Sequence, residues 1–188
     1  ICGDSLDPQT VECLMDGDLA RMVFTDPPYN VPIDGHVGNS GKIKHREFAM
    51  ASGEMSDEEY EAFLSAFVRN LIQYSVEGSV HYLFIDWRHQ HVLERVCRRY
   101  CMEQLNLCVW VKSNGGMGAF YRSRHELVLV FKNGGKTPHI NNVQLGKFKR
   151  NRTNVWEYEG YNSVSAVKQA ERALHPTVKP VALIADAI

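Results

Sequence analysis

Asp26-Pro27-Pro28-Tyr29 is the segment of this chain whose residue types and spacing are best suited to chemistry. The run before it, Arg21-Met-Val-Phe-Thr25, is short and apolar, and proline disfavours further pairing, so it reads as a buried strand that stops at Asp26. Two prolines after a strand-terminal acid fix the backbone. They would aim the Asp26 carboxylate and the Pro27 carbonyl one way, with the Tyr29 ring beside them. Two acceptors beside an aromatic face suit a planar ring that carries an amino group. The acceptors take both hydrogens of the NH2 while the aromatic ring stacks, as in the holding of a flipped-out base. A turn that merely caps a strand is the other reading of the same four residues.

The elements that must position this segment follow from periodicity and punctuation. Ser56-Asp-Glu-Glu59 is a capping box, and Tyr60, Phe63, Leu64, Phe67, Val68, Leu71 and Ile72 follow at helical spacing, which predicts a helix over 57–77 ended by Gly78. Val80 to Ile85 reads as a second strand, and His89 to Arg99 as a helix with Val92, Val96 and Cys97 on one face. Leu105 to Val111 and Leu127 to Phe131 read as two strands able to pair as a hairpin, the second closed by a turn at Lys132-Asn-Gly-Gly135. Residues 29–52 read as a long functional loop, and 136–165 as an insert without a regular period. His175 to Pro180 is a rigid extended stretch, with Pro180 as first residue of a helix through Val181, Leu183, Ile184 and Ile188. Alternating strands and helices predict an α/β sheet covered on both faces. Asp86-Trp87, directly after a strand, falls where such sheets carry ligand groups.

Charge is unevenly distributed. From Lys112 to Arg152 there are nine basic residues against one acid, Glu126. That surplus of +8 within a chain of net charge -1 leaves -9 for the remainder. A strongly basic segment is the footprint of a polyanion binder, with a solvated basic face as the alternative. In 188 residues the longest apolar runs resemble Leu127 to Phe131, far short of the roughly 18 to 20 residues of a membrane span. No signal-peptide pattern opens the chain. Cys2, Cys13, Cys97, Cys101 and Cys108 are an odd set without CxxC spacing, which suggests a reducing compartment and a cytoplasmic protein. His89, His91, Cys97 and Cys101 lack zinc-site spacing, so no metal is expected. The chain starts at Ile1 and ends within an apolar helical pattern at Ile188, so both ends look cut.

Several segments, in order, resemble the S-adenosylmethionine-dependent DNA amino-methyltransferases, which modify adenine N6 or cytosine N4. Cys2-Gly-Asp-Ser-Leu6 is similar to that family's Gly-Asp segment, and Phe24-Thr-Asp-Pro-Pro-Tyr-Asn30 to its catalytic motif. Trp110-Val-Lys112 with Tyr121-Arg-Ser-Arg-His-Glu126 resembles its later hairpin, and His175-Pro-Thr-Val-Lys-Pro180 its cofactor-side motif. That order resembles the permuted β group. It implies a Rossmann-like, circularly permuted methyltransferase fold with a mostly parallel sheet and a small inserted target-recognition region. The implied divisions are a catalytic core over 1–135, the insert over 136–165 and a return to the core over 166–188. In that group a Phe-x-Gly-x-Gly loop follows the helix after the His-Pro-Thr segment, and this chain stops within that helix, which suggests a fragment. Gly115-Gly-Met-Gly118 lies between two strands and cannot replace the loop.

The resemblance implies direct methyl transfer to the amino nitrogen of a flipped base, with Asp26, Pro27, Pro28 and Tyr29 as the catalytic segment. Asp4, Asp26, His175, Thr177 and Lys179 would bind S-adenosyl-L-methionine. Lys112, Arg122, Lys147, Lys149, Arg150 and Arg152 would follow the backbone of double-stranded DNA. Glu126 and His125 would lie at the rim of the site or serve at a strand end. Adenine N6 stands ahead of cytosine N4 because Asp rather than Ser opens the motif. An RNA substrate, a catalytically inactive nucleic-acid-binding fragment, a homodimer and a restriction-nuclease partner all stay open.

Overall fold

A computed structural model describes residues 1–32, 50–116, 120–140, 151–160 and 178–188. Five strands form one sheet in the order β1-β2-β4-β3-β5, with β1 Ala20–Thr25, β2 Ser75–Ile85, β3 Glu103–Val111, β4 His125–Lys132 and β5 Val155–Glu157. β1 runs parallel to β2, β2 antiparallel to β4, and β3 parallel to β5. Among the described residues the helices are α1 Pro8–Met15, α2 Asp57–Gln73, α3 Gln90–Arg99 and α4 Val181–Ala187. Among the described residues no helix is long and apolar enough to cross a membrane. The chain divides into two compact units.

The first unit comprises Ile1–Pro27, Met55–Leu107 and Leu127–Asn142. Its α2 begins as expected: the Ser56 hydroxyl accepts from the Glu59 amide (3.2 Å), and the Glu59 carboxylate accepts from the Ser56 amide (2.8 Å). The i, i+3, i+4 stripe Tyr60, Phe63, Leu64, Phe67 and Val68 is buried, as are Val92, Leu93, Val96 and Cys97 on α3. Across the sheet, Leu83, Phe84, Ile85, Val128, Leu129 and Phe131 complete the core.

Boundaries differ from the sequence reading at the α2–β2 junction, where β2 starts at Ser75 rather than Val80, and at α4. Helix α2 stops at Gln73, not 77, because buried polar groups take over at its end. Ser75 Oγ donates to the Leu71 carbonyl (2.7 Å), and the Asn133 amide donates to the Ser75 carbonyl (3.1 Å) and to Ser75 Oγ (3.0 Å). Nε2 of the buried His81 lies 3.1 Å from Ser75 Oγ and 3.0 Å from Ser79 Oγ, and burial pushes its pKa down to about 4. Gly78 does not end a helix. It sits inside β2 at φ +85°, where the ladder to β1 slips from Ala20↔Ser75 to Met22↔Val80. The second difference is small: Pro180 caps α4 from outside rather than opening it.

α1 was not anticipated. It buries no residue, and Val11, Leu14 and Met15 make only one short apolar group in eight residues. Its signal is local: the Asp7 carboxylate accepts from the Gln9 and Thr10 amides and the Thr10 hydroxyl, with Pro8 at the first turn. β5 is equally hard to read, since three residues show no period.

The second unit comprises Pro28–Glu54, Cys108–Glu126 and Val143–Ile188. In it β5 aligns Val109↔Val155, Trp110↔Trp156 and Val111↔Glu157, and the Trp110 indole N–H donates to the Tyr158 carbonyl (3.0 Å). Arg152 braces β5 to α4: its guanidinium donates to the Asp186 carboxylate (2.6 Å), the Asp186 carbonyl (2.5 Å) and the Tyr158 hydroxyl (2.5 Å).

A Cβ added at Gly78 would lie 2.6 Å from the Pro138 carbonyl oxygen, at a φ that L residues rarely adopt. Gly78→Ala should therefore lower the unfolding free energy by at least about 1 kcal/mol, read as a lower denaturant midpoint with unchanged slope. An unchanged midpoint would show that the bulge relaxes at no cost.

Candidate functional site

In the first unit β1 delivers Asp26. The ladder Met22↔Val80, Val23↔His81, Phe24↔Tyr82, Thr25↔Leu83 is regular up to the last strand residue, and Phe24 packs edge-on against Phe84 with ring centroids 5.2 Å apart. Pro27 is buried and Asp26 exposed. Because β1 and β2 are parallel, Asp26 and Asp86 both follow strand carboxyl ends on adjacent strands, the edge where α/β sheets place ligands. Asp86 is engaged in its own turn: its carboxylate accepts from the Arg88 amide (2.9 Å) and guanidinium (3.0 Å), while Arg88 lies over the exposed Trp87 ring at 4.7 Å. Asp4 likewise accepts from the Leu6 amide (2.9 Å).

In the second unit the hairpin register builds a charged cluster. The Lys112 amide donates to the Arg124 carbonyl (2.8 Å), which fixes the residue after β3 beside the start of β4. Lys112 Nζ then reaches Glu126 Oε1 at 2.5 Å and lies 4.8 Å from the Trp110 ring centroid. Lys179 Nζ is 3.2 Å from Glu126 Oε2 and 5.6 Å from the Tyr29 ring centroid. The Tyr29 hydroxyl donates to the same Oε2 at 3.3 Å. Glu126 has only 17% of its side chain exposed and Lys179 8%. Burial would raise the Glu126 pKa, but the Lys179 and Lys112 charges and their hydrogen bonds outweigh it and hold the carboxyl well below the ordinary carboxylate range.

The structure thus brings together Tyr29, Lys112 and Lys179, which the sequence assigned to three separate tasks, around Glu126. Glu126 was expected at a rim or strand end. Its signal was in the sequence, as the single acid among nine bases just before a buried strand. Arg122 is exposed, with its guanidinium on the Gly116 carbonyl (2.7 Å), and Arg152 is held by Asp186. His175, Thr177, Lys147, Lys149 and Arg150 lie outside the described residues. Among the described residues no group of His, Cys, Asp and Glu is arranged to hold a metal ion.

Removing the carboxylate leaves two ammonium groups facing each other in a partly dry site. Glu126→Gln should cost on the order of 1–3 kcal/mol near neutral pH. The pH dependence has a definite sign. A carboxyl depressed in the folded state stabilises above its ordinary value of 4.5, and that stabilisation is lost as pH falls through the folded value. The difference between the wild type and Glu126→Gln, followed by denaturant unfolding at stepped pH, should shrink below about pH 4.5. A gap that stays constant into acid would remove the ionised carboxylate from the account.

The family model for N6/N4 DNA methylases, described as DNA methylase, matches residues 20–188. No curated protein matches the chain. Among solved structures, the PvuII DNA methyltransferase, specific for cytosine N4, aligns with a TM-score of 0.64 at 14% identity, over 99% of this chain and 67% of that one. M1.HpyAVI in complex with S-adenosylmethionine aligns with a TM-score of 0.55 at 15% identity, over 99% of this chain and 72% of that one. At such identities the likeness is one of fold, and it agrees with the expected Rossmann-like methyltransferase architecture. With the family match running from the first residue of β1 to Ile188, the chain belongs to the N6/N4 DNA methylases.

Proposed function

We propose that the chain transfers a methyl group to the exocyclic amino nitrogen of a base extruded from double-stranded DNA, with adenine N6 ahead of cytosine N4. The observation that carries this reading is Asp26-Pro27-Pro28-Tyr29 at the carboxyl end of β1 in a chain of the N6/N4 DNA methylase family. Asp rather than Ser at the head of the tetrapeptide favours adenine.

S-adenosylmethionine supplies the electrophilic methyl on a sulfonium, along with a carboxylate, an amine and ribose hydroxyls to be held. The donor set fits such a molecule. Within the second unit the Lys179 ammonium, fixed by Glu126, can donate to a carboxylate, with Thr177 and His175 beside it in sequence; within the first, Asp4 and Asp26 are acceptors assigned to the same cofactor by the family resemblance alone. The amino lone pair of the base is delocalised into its ring. Asp26 and the Pro27 carbonyl, accepting both N–H hydrogens, would favour a more tetrahedral and nucleophilic nitrogen, and positioning by Pro27 and Pro28 supplies much of the remaining rate. Stacking on Tyr29 offsets part of the extrusion cost, which is about a few kcal/mol. Of the cations first matched to the DNA backbone, Arg122, Lys147, Lys149 and Arg150 keep that assignment, whereas Lys112 and Arg152 are engaged by Glu126 and Asp186.

The test is transfer of labelled methyl from S-adenosylmethionine to mixed-sequence duplex DNA, followed by nucleoside analysis. N6-methyladenine is expected. N4-methylcytosine would reverse the base preference, and DNA binding without transfer would leave an inactive binding module in place of an enzyme. Asp26→Ala should abolish transfer. Tyr29→Ala should lower it by about 5- to 100-fold, the worth of one stacked base. Tyr29→Phe, which keeps the ring and loses the hydroxyl bond to Glu126, should retain most of it.

A further inference from the structure

The turn between β3 and β4 carries two aromatic side chains that the fold does not use. Phe120 is 94% exposed and Tyr121 86%, and their rings meet edge-on with centroids 4.4 Å apart. Two adjacent rings this open to water contribute nothing to a core, and paired exposed apolar groups mark interaction surfaces. Phe120 also holds φ +64°, a left-handed conformation in which a bulky side chain is strained.

The base of the turn is firmly built. The Lys112 amide donates to the Arg124 carbonyl (2.8 Å), and the Gly116 amide donates to the Ser123 carbonyl (2.8 Å). The Arg122 guanidinium crosses the turn to the Gly116 carbonyl (2.7 Å) and the Gly115 carbonyl (3.4 Å). The aromatic pair therefore projects from a braced support. Arg122 and Arg124, both exposed, follow it in the chain and bring positive charge, and they belong to the segment with nine bases against one acid.

Exposed aromatics followed closely by two exposed arginines match the chemistry of a duplex. The arginines meet phosphates, and the rings have π faces that any base pair can stack upon. We propose that Phe120 and Tyr121 form a wedge that enters the base stack of double-stranded DNA and fills the gap left by the extruded base. The inference rests on the base-extruding methyltransferase reading above and adds to it the element that holds the stack open. Apolar side chains inserted between base steps partly unstack them, so the wedge lowers the cost of extrusion rather than reading sequence.

The experiment measures binding of the whole chain to fluorescent mixed-sequence duplexes, either fully paired or carrying single mismatches, with methylation of the same DNA followed in parallel. The double variant Phe120→Ala/Tyr121→Ala should lose about 10- to 100-fold in affinity for the paired duplex. It should recover much of that loss on mismatched DNA, where extrusion is already cheap. Tyr121→Phe, which keeps the ring, should behave as the wild type. Equal losses on paired and mismatched DNA would overturn the wedge and make the pair an ordinary surface contact. Wild-type affinity in the double variant would also overturn it, with methylation by the wild type showing that the enzyme reading still stands. A wild type that neither binds nor methylates DNA would bring down the enzyme reading and the wedge together.

Discussion

A carboxylate taken largely out of water is stable only while positive charge stays beside it. Glu126 meets that condition twice, through Lys112 and Lys179, and a third partner, the Tyr29 hydroxyl, shares one of its oxygens. Desolvation alone would push the carboxyl toward its neutral form; two ammonium groups within 3.2 Å reverse that tendency. The consequence is structural. Residues far apart in sequence, one after the prolines that follow Asp26, one at each side of the hairpin and one before α4, share a single electrostatic anchor. None of the three partners can leave without stranding a charge or a polar group in a partly dry place.

The first unit solves a different problem, which is how to end a strand with a fixed acid. β2 is irregular at its start, where Gly78 bulges at positive φ and the buried Ser75–His81–Asn133 group closes the end of α2. The irregularity is confined to that end. From Met22 to Thr25 the ladder is regular, so Asp26 leaves the sheet at a position fixed by four consecutive pairings and the packing of Phe24 on Phe84. Strain and polar complexity sit at one end of the strand pair, and the candidate chemistry at the other.

Elements whose burial is periodic were legible: the α2 and α3 stripes and the strands β1, β3 and β4 stand close to where the sequence placed them. What failed was punctuation. Gly78 reads as a helix stop because glycine after a periodic run usually is one, yet the positive φ serves a bulge, and the helix ends earlier on side-chain bonds from Ser75 and Asn133 that no local pattern announces. α1 and β5 escaped for want of a buried face and for want of length. Asp26 and Tyr29 were legible because proline spacing constrains the backbone on its own. Glu126 was visible as a residue but not as a centre, since its partners Lys112 and Lys179 come from places that sequence spacing does not bring together.

The basic segment shows the same limit in its charge. Counted along the sequence, nine cations between 112 and 152 suggest nine groups available to a polyanion. Among the described residues the fold engages three of them with carboxylates: Lys112 with Glu126, Lys132 with Glu103 and Arg152 with Asp186. Two of those carboxylates lie outside the segment, so counting within it could not reveal them. Those cations act first as struts, the one on β4 and the others at the hairpin base and beside β5. Arg122, Arg124 and Lys136 are exposed among the described residues. Arg122 and Arg124 follow the two aromatics directly, so among the described residues two of the segment's three exposed cations stand where large apolar rings are also exposed. A solvated basic face gives no reason for that coincidence, whereas a polyanion with stacked aromatic bases requires both groups in one place.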